Sequence, residues 1–400
     1  MMSCKSAFPI FWNNPGLVYL DNAASTQKPQ MVIDGVSDFV SHNYSNIHRW
    51  LYQISENAED LYELSKAQLA QFIHAQAKEI IYTYNSTYAF NLLIQALVKS
   101  KKIWKGDKVL LWIREHHSNV LAWQSFSQEI GFEVDFIGLD EDTWLDWQDF
   151  QQKYTENVKV VSVSQVSNVT GTIIDVERLH SLLREDTFFI VDGSQSVPHF
   201  PVDVQKIWCD AMIMTGHKMM AYSGLGMLYL KYQRIKELEP MILWGGTVKD
   251  VSVGEYSLQK NSMKREAWTP NIIGAVSLLK ALEWIEQYGG IEKMWAEEQN
   301  LVAFLWKQFQ KRKEKIWLLW TKFPEHRVGV FSFTKLTGNT NFNQIWELFA
   351  KENICVRVGG HCAYPLHKFL QVWGTIRLST YVYNDLSDGE KFFEVLDMME

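Results

Sequence analysis

The chain has 400 residues, and its 39 basic against 46 acidic side chains leave a formal net charge of −7, with no sustained basic run to follow a phosphate backbone, which argues against nucleic acid as a partner. Hydrophobic residues at 47% and charged residues at 21% describe a soluble globular chain of two or three domains rather than a disordered one. Four cysteines, Cys4, Cys209, Cys355 and Cys362, are too few for a disulfide framework and lack C-x-x-C zinc spacing, which points to a reducing, cytoplasmic setting.

The first twenty residues interrupt their apolar stretch with Pro9, Asn13, Asn14 and Pro15, so no secretory core is expected there. No later run reaches the ~20 apolar residues of a membrane span, and a membrane partner is not expected. From about residue 54 to 230, helical and strand periods alternate, the pattern of a mostly parallel sheet covered by helices. Ala58, Leu61, Tyr62, Ser65, Leu69, Phe72 and Ile73 fall at helical spacing, Glu79–Thr83 reads as a strand, and a helix is predicted from Ser86 or Thr87. Short apolar runs at Val109–Ile113, Val158–Val163, Phe188–Val191, Ala211–Met214 and Met227–Leu230 read as buried parallel strands. Leu243–Pro270 reads as an extended loop or hairpin, and Ile272, Val276, Leu279 and Leu282 restart a helix. The remainder predicts strands at Val328–Phe333, Ile354–Val358 and Thr375–Leu378 with helices near 342–352 and 386–399, an α+β unit of ordinary domain size.

Ligands in open α/β sheets gather beyond the carboxyl ends of the strands, where Asn168, Asp192 and the Thr215–Lys218 turn fall. Lys218 follows a buried strand beside His217, a setting in which desolvation frees an amine to form a Schiff base; alone, a lysine after a turn is usually a surface residue. Asp192 ends an apolar strand, so it either caps a turn or meets a cation such as a pyridinium nitrogen. Asn85-Ser86-Thr87 opens a helix, where hydroxyls serve as plain caps or, joined by Thr215 and His217, as a phosphate site. His116, in Glu115-His-His117, stands at another strand end, placed to stack on a ring or move protons. Adjacent His116 and His117 diverge, and no acidic or cysteine residue completes a metal set. Cys362 lies in a glycine loop with His361 and Arg357 near it to favour a thiolate over a free thiol of pKa ~8.5. Arg377, from a strand of the same lobe, suits a carboxylate bidentately, although one arginine alone is more often a surface ion pair.

This ordered set, extended by Tyr19-Leu-Asp-Asn-Ala-Ala-Ser25, Asn46-Ile-His-Arg49, Val166-Ser-Asn-Val-Thr-Gly171 and Gly360-His-Cys-Ala363, resembles the pyridoxal-phosphate enzymes of aminotransferase class V. Within them it is most similar to the group II, SufS-like, cysteine desulfurases. The resemblance implies the α/β fold type I of pyridoxal-phosphate-dependent transferases. An N-terminal segment (1–25) would pack with a small α+β C-terminal domain (286–400), and the large cofactor domain would span 26–285. By the same resemblance Lys218 carries pyridoxal 5′-phosphate, Asp192 keeps its ring nitrogen protonated and His116 stacks on it. Asn168 and Gln195 contact the ring oxygen, and Ser86, Thr87, Thr215 and His217 hold the phosphate. Thr269 reaches the phosphate of a partner subunit, implying a homodimer. Arg377 binds the carboxylate of L-cysteine, with Asn168, Arg357 and His48 also lining the substrate site.

Lys218 would then move the α-proton and Cys362 take the sulfur as a persulfide, leaving L-alanine. A sulfur acceptor of the SufE or SufU type and a role in iron–sulfur cluster assembly are implied. Asn85, Tyr88, Trp50, Trp268 and Gly360 depart from the family pattern. Two alternatives stay open: a selenocysteine lyase or another class V lyase or epimerase in which Cys362 is incidental, and an inactive relative that binds cofactor or relays sulfur.

Overall fold

The computed structural model describes residues 4–47, 52–140, 144–240, 242–243, 248–258, 266, 269–319, 324–336 and 342–398. The strands in chain order are β1 (Val18–Tyr19), β2 (Ile80–Thr83), β3 (Lys108–Trp112), β4 (Glu133–Ile137), β5 (Val158–Ser164), β6 (Phe188–Asp192), β7 (Ala211–Thr215) and β8 (Gly226–Leu230). They continue with β9 (Val248–Ser252), β10 (Glu255–Leu258), β11 (Ile316–Leu319), β12 (Val330–Lys335), β13 (Ile354–Cys355), β14 (Arg357–Gly359) and β15 (Thr375–Ser379). Seven form one sheet in the order β2-β8-β7-β6-β5-β3-β4.

The pairings from β7 through β4 are parallel, as the alternating pattern predicts. β8 is the exception, antiparallel to both β7 and β2. Its connection from β7, residues 216–225, is too short for the crossover that a parallel partner requires. β4 escapes the sequence pattern because it is an edge strand with Glu133 and Asp135 in it; both carboxylates meet Lys108, at 3.2 and 3.8 Å, a charged edge that discourages further pairing.

Residues of the central strands alternate between two buried clusters. Phe189, Val191, Met212 and Met214 enter one, while Phe188, Ile190, Ala211 and Ile213 enter the other. Both faces are therefore covered by helices, which is why these strands read as continuous apolar runs. Helix boundaries follow local capping. Asn85 accepts from Tyr88 N at 2.8 Å to open Ser86–Lys99, and Asn271 accepts from Gly274 N at 2.8 Å to open Ile272–Tyr288.

The C-terminal part is an antiparallel sheet, β11-β12-β15-β14, packed on the helices Gly290–Gln310 and Leu386–Asp397 through Leu305, Phe309, Phe331, Phe333, Ile376, Phe392 and Phe393. The predicted strand Ile354–Val358 is split at Val356 into β13 and β14. β1 pairs in parallel with β13, and Val18 of β1 and Leu20 just after it enter this same cluster. β9 and β10 form the hairpin read from the sequence. Cys4, near the start of the chain, is docked on the small domain, its thiol donating to Val382 O at 3.0 Å. Among the described residues no helix is long and apolar enough to cross a membrane.

Gly171 shows how tightly the two lobes meet. Its φ is +71°, and an added Cβ would lie 2.5 Å from Val330 O and 2.9 Å from Val328 O. Gly171→Ala should therefore lower stability by ~1–3 kcal/mol, seen as a lower denaturant midpoint at unchanged slope; an unchanged midpoint would show that the seam yields.

Candidate active site

Strand register gathers the polar residues at one sheet edge. Asp192, the last residue of β6, lies level with Ser164 of β5 and Ile213 of β7. Gly226 opens β8 opposite Thr215 on one side and Thr83 on the other. The Gly216–Lys218 turn and the start of the helix Ser86–Lys99 therefore leave the sheet side by side. Gly226 permits this, since a Cβ there would lie 2.5 Å from Thr83 Oγ1 and 2.6 Å from Asn85 Cα. Asn85 and Tyr88 depart from the resembled pattern but serve as cap and capped residue.

Lys218 stands at the end of that turn with its amine in desolvated surroundings and only part of its surface accessible. Burial pulls its pKa down to about 8, against the opposing pull of Asp192, while Arg377 pushes it further down. Asp192 is 7% exposed. Burial raises its pKa, Lys218 partly offsets that shift, and the carboxylate accepts from Ser194 N at 2.9 Å.

His116 caps the helix His117–Ile130, its Nδ1 accepting from Ser118 N at 3.2 Å. Burial, then the charge of Lys218, pushes it down to about 3, so the ring is neutral with its proton on Nε2. Ser118 Oγ lies 3.0 Å from His116 Nδ1 and 2.6 Å from Thr87 Oγ1, which joins the two helix starts. Burial lowers His217 to about 4, and its Nδ1 meets Thr215 Oγ1 at 2.8 Å. Gln195 donates to Ala23 O at 2.8 Å.

The small domain supplies the rest. Arg377 on β15 is 2% exposed, donating from Nη1 to Asn168 O at 3.0 Å and from Nη2 to Asp21 Oδ1 at 2.9 Å. Arg357, directly across from it on β14, also donates to Asp21, from Nη2 to Oδ2 at 2.9 Å. Sequence reasoning gave Asp21 no role, and both arginines already hold its carboxylate.

Cys362 is exposed on the turn between β14 and the helix Tyr364–Phe369. His361 and Cys362 both have left-handed backbones, φ +48° and +56°, a strained pair that persists only when the surroundings over-determine it. They do so here. Asn168 Nδ2 donates to His361 O at 2.8 Å, His117 N donates to Cys362 O at 2.7 Å, and Tyr364 N donates to His117 Nε2 at 3.0 Å. The second histidine is thus the clamp of the cysteine loop. Gly360 lets Tyr364 fold over the loop, since a Cβ there would lie 2.3 Å from the tyrosine ring.

One expectation is corrected. His361 was read as a cation beside Cys362, but burial and Arg377 push its pKa well down, and its Nε2 faces Thr375 Oγ1 at 2.9 Å. It is a neutral structural residue. Arg357 is within electrostatic reach of Cys362, but its charge is shared with Asp21.

Thr269 stands apart, exposed at φ +48° in a shallow pocket with Tyr84, Tyr88 and Pro270. His48, Trp50 and Trp268 lie outside the described residues. Glu115, also unassigned from sequence, is fully buried and pushed up to about 8 by burial; it accepts from Ser164 N at 2.7 Å and Asn119 Nδ2 at 2.8 Å, bracing the strand ends beneath His116. An electron-poor planar ring with a basic nitrogen, an aldehyde and a phosphate suits an amine, a buried carboxylate, a neutral imidazole and a helix N-terminus with hydroxyls.

The sequence model of the aminotransferase class-V family matches residues 18–392, and the chain belongs to that family. It is 34% identical over 385 residues to a probable cysteine desulfurase of Pyrococcus abyssi, covering 95% of this chain and 94% of the relative. The apo structure of a cysteine desulfurase from Thermococcus onnurineus superposes with a TM-score of 0.92 at 30% identity, over 100% of this chain and 98% of that one. The cysteine desulfurase CsdA of Escherichia coli gives 0.89 at 28% identity, over 98% and 96%.

In protein freed of any adduct on Lys218, an amine-selective acylating reagent should label this lysine with a midpoint near pH 8, below the ordinary lysine value of 10.5. Asp192→Asn should move the midpoint lower, because it removes the charge that retains the proton. Labelling that tracks exposed lysines in both proteins would contradict this electrostatic reading.

Proposed function

We propose that this protein is a pyridoxal-phosphate-dependent cysteine desulfurase that converts L-cysteine to L-alanine and carries the sulfur as a persulfide on Cys362. One observation carries the reading: Asn168 and His117 of the sheet-edge loops hold the exposed Cys362 loop and Arg377 against the edge where Lys218 and Asp192 stand. That tethering supports the reading that a nucleophile from one lobe works near the amine of the other, within its electrostatic reach, the proximity such a transfer needs.

The residues fit the cofactor on their own chemistry. Lys218 would hold its aldehyde carbon, Asp192 its ring nitrogen, and His116 its ring face. Gln195 and Asn168 would meet its ring oxygen, and Ser86, Thr87, Thr215 and His217 its phosphate. When bound, the cofactor supplies an electron sink for negative charge at the substrate Cα.

Arg377, with Arg357 and Asn168 beside it, orients the L-cysteine carboxylate, and His48 is assigned to the same substrate site. Lys218 Nζ, whose pKa is lowered to about 8, takes the Cα proton near neutral pH. Cys362 Sγ attacks the substrate sulfur. An S–S bond forms and the Cβ–S bond breaks with its electron pair moving to carbon; one proton delivered to Cβ and the proton held by Lys218 returned to Cα complete L-alanine. The neutral His116, with its proton on Nε2, is a donor rather than a competing cation at this point.

The sulfane sulfur then passes to the thiolate of an acceptor protein of the SufE or SufU type, for iron–sulfur cluster assembly in the cytosol. The exposure of Cys362 and its place on a small-domain turn support delivery to a second protein. The domain division is 1–25, 26–285 and 286–400, and the active form is a homodimer in which the exposed Thr269 reaches the partner's cofactor phosphate.

Steady-state alanine production from L-cysteine in the presence of a reductant tests this. Cys362→Ala should reduce turnover by about 100-fold or more and Lys218→Ala should abolish it. Undiminished turnover by Cys362→Ala would instead identify a lyase in which the cysteine is incidental.

A further inference from the structure

The motif Tyr19–Ser25 has no assigned role, and the segment Leu20–Thr26 that contains most of it runs between the two lobes at the site. Its backbone is fixed at many points. Ser379 N donates to Leu20 O at 2.7 Å, Asn22 Nδ2 to Ser379 O at 2.7 Å and Ala23 N to Ser379 Oγ at 2.9 Å. Gln195 donates to Ala23 O at 2.8 Å, and Thr26 N donates to His217 O at 2.9 Å. The strap thus ties β15 to the cofactor side of the sheet, with Asp21 near its start, bridged to Ser379.

Asp21 presents its carboxylate to two arginines that cross-strand register puts directly opposite each other. Two like charges so placed repel and would splay. Asp21 prevents this by accepting from Arg377 Nη2 at 2.9 Å and from Arg357 at 2.9 Å (Nη2) and 3.1 Å (Nε). Asn168 O fixes the other arm of Arg377 at 3.0 Å. Two guanidinium groups and one carboxylate leave a net charge of +1, which is the complement of one further carboxylate and no more. Arg357 is half exposed while Arg377 is buried, so without Asp21 it is Arg357 that has freedom to leave.

We infer that Asp21 is a positioning residue for the substrate carboxylate: it pins Arg357 against Arg377 as one fork and sets the subsite to accept a single carboxylate. The inference rests on the reading above that Arg377 binds the carboxylate of L-cysteine.

The test is Asp21→Asn, with Asp21→Glu as the conservative variant. KM for L-cysteine should rise about tenfold in Asp21→Asn while kcat changes by less than about threefold, because the lost interaction positions the substrate without touching the reacting atoms. Asp21→Glu should recover part of the KM. A second readout does not depend on turnover. On the purified proteins, an arginine-selective dicarbonyl followed by peptide mass spectrometry should label Arg357 about fivefold faster in Asp21→Asn than in wild type, with Arg377 still protected by burial.

Equal Arg357 labelling in both proteins overturns the pinning. Faster labelling with KM unchanged or lowered, in a protein that turns over L-cysteine, overturns the positioning role. If the wild-type protein does not turn over L-cysteine, the functional reading fails by itself, and the labelling result still decides whether Asp21 pins Arg357. A fall in kcat at constant KM would also overturn the proposal, since it would place Asp21 in the chemical step.

Discussion

Asn168 holds both halves of the site in one frame. Its side-chain amide donates to His361 O beside the nucleophile, and its own carbonyl accepts from Arg377. Cys362 and Arg377 belong to the small domain, whereas Asp192 ends β6 of the large sheet and Lys218 ends the turn that follows β7. Only the seam between the lobes brings them together, so anything that shifts the seam shifts the chemistry. This explains the crowding around the loop that carries Asn168. Gly171 has no space for a Cβ, Ser332 Oγ donates to Val169 O at 2.5 Å and Arg327 donates to Thr170 O at 2.8 Å.

Desolvation is the second organising effect. It lowers Lys218 and His116 and raises Asp192 and Glu115, in each case away from the charged form, as burial requires. Neutral imidazoles at His116, His217 and His361 leave the two arginines and Lys218 as the cations of the site. Asp21 answers the arginines and Asp192 answers Lys218. A fixed charge arrangement in a dry cleft acts more strongly than the same charges would in water and does not reorganise during reaction.

Much of this was legible in the sequence because the sheet is covered on both faces. Strands buried on both sides read as apolar runs, and the residues ending those runs, Asp192, Thr215 and Lys218, fell where a ligand site was expected. What was not legible depended on tertiary partners. β4 alternates charged with apolar residues, the pattern of a half-exposed edge strand and not one of the continuous apolar runs that marked the buried strands; β8 reverses direction although its composition matches its parallel neighbours. His361 looked like an activating cation because its burial against Thr375 is not local. Asp21 carried no signal beyond its motif, for its function depends on two arginines more than three hundred residues away. His117 was read only as a failed metal ligand, since nothing in sequence joins it to Tyr364.

Aromatic residues make up 14% of the chain, and the cores account for many of them. Phe309, Phe331, Phe333, Phe392 and Phe393 pack with neighbouring centroids 4.9–6.2 Å apart, and Trp112 and Trp123 are fully buried beneath the site, so rings fill the cores that fix the two lobes. The central claim, that this arrangement delivers the substrate's sulfur to Cys362, is tested most directly by a single turnover. The protein is mixed with less than one equivalent of L-cysteine without reductant, and its cysteine peptides are analysed by mass spectrometry. One added sulfur on the Cys362 peptide, removed by reductant and matched by one L-alanine, is the predicted result; alanine formed while Cys362 remains unmodified would contradict it.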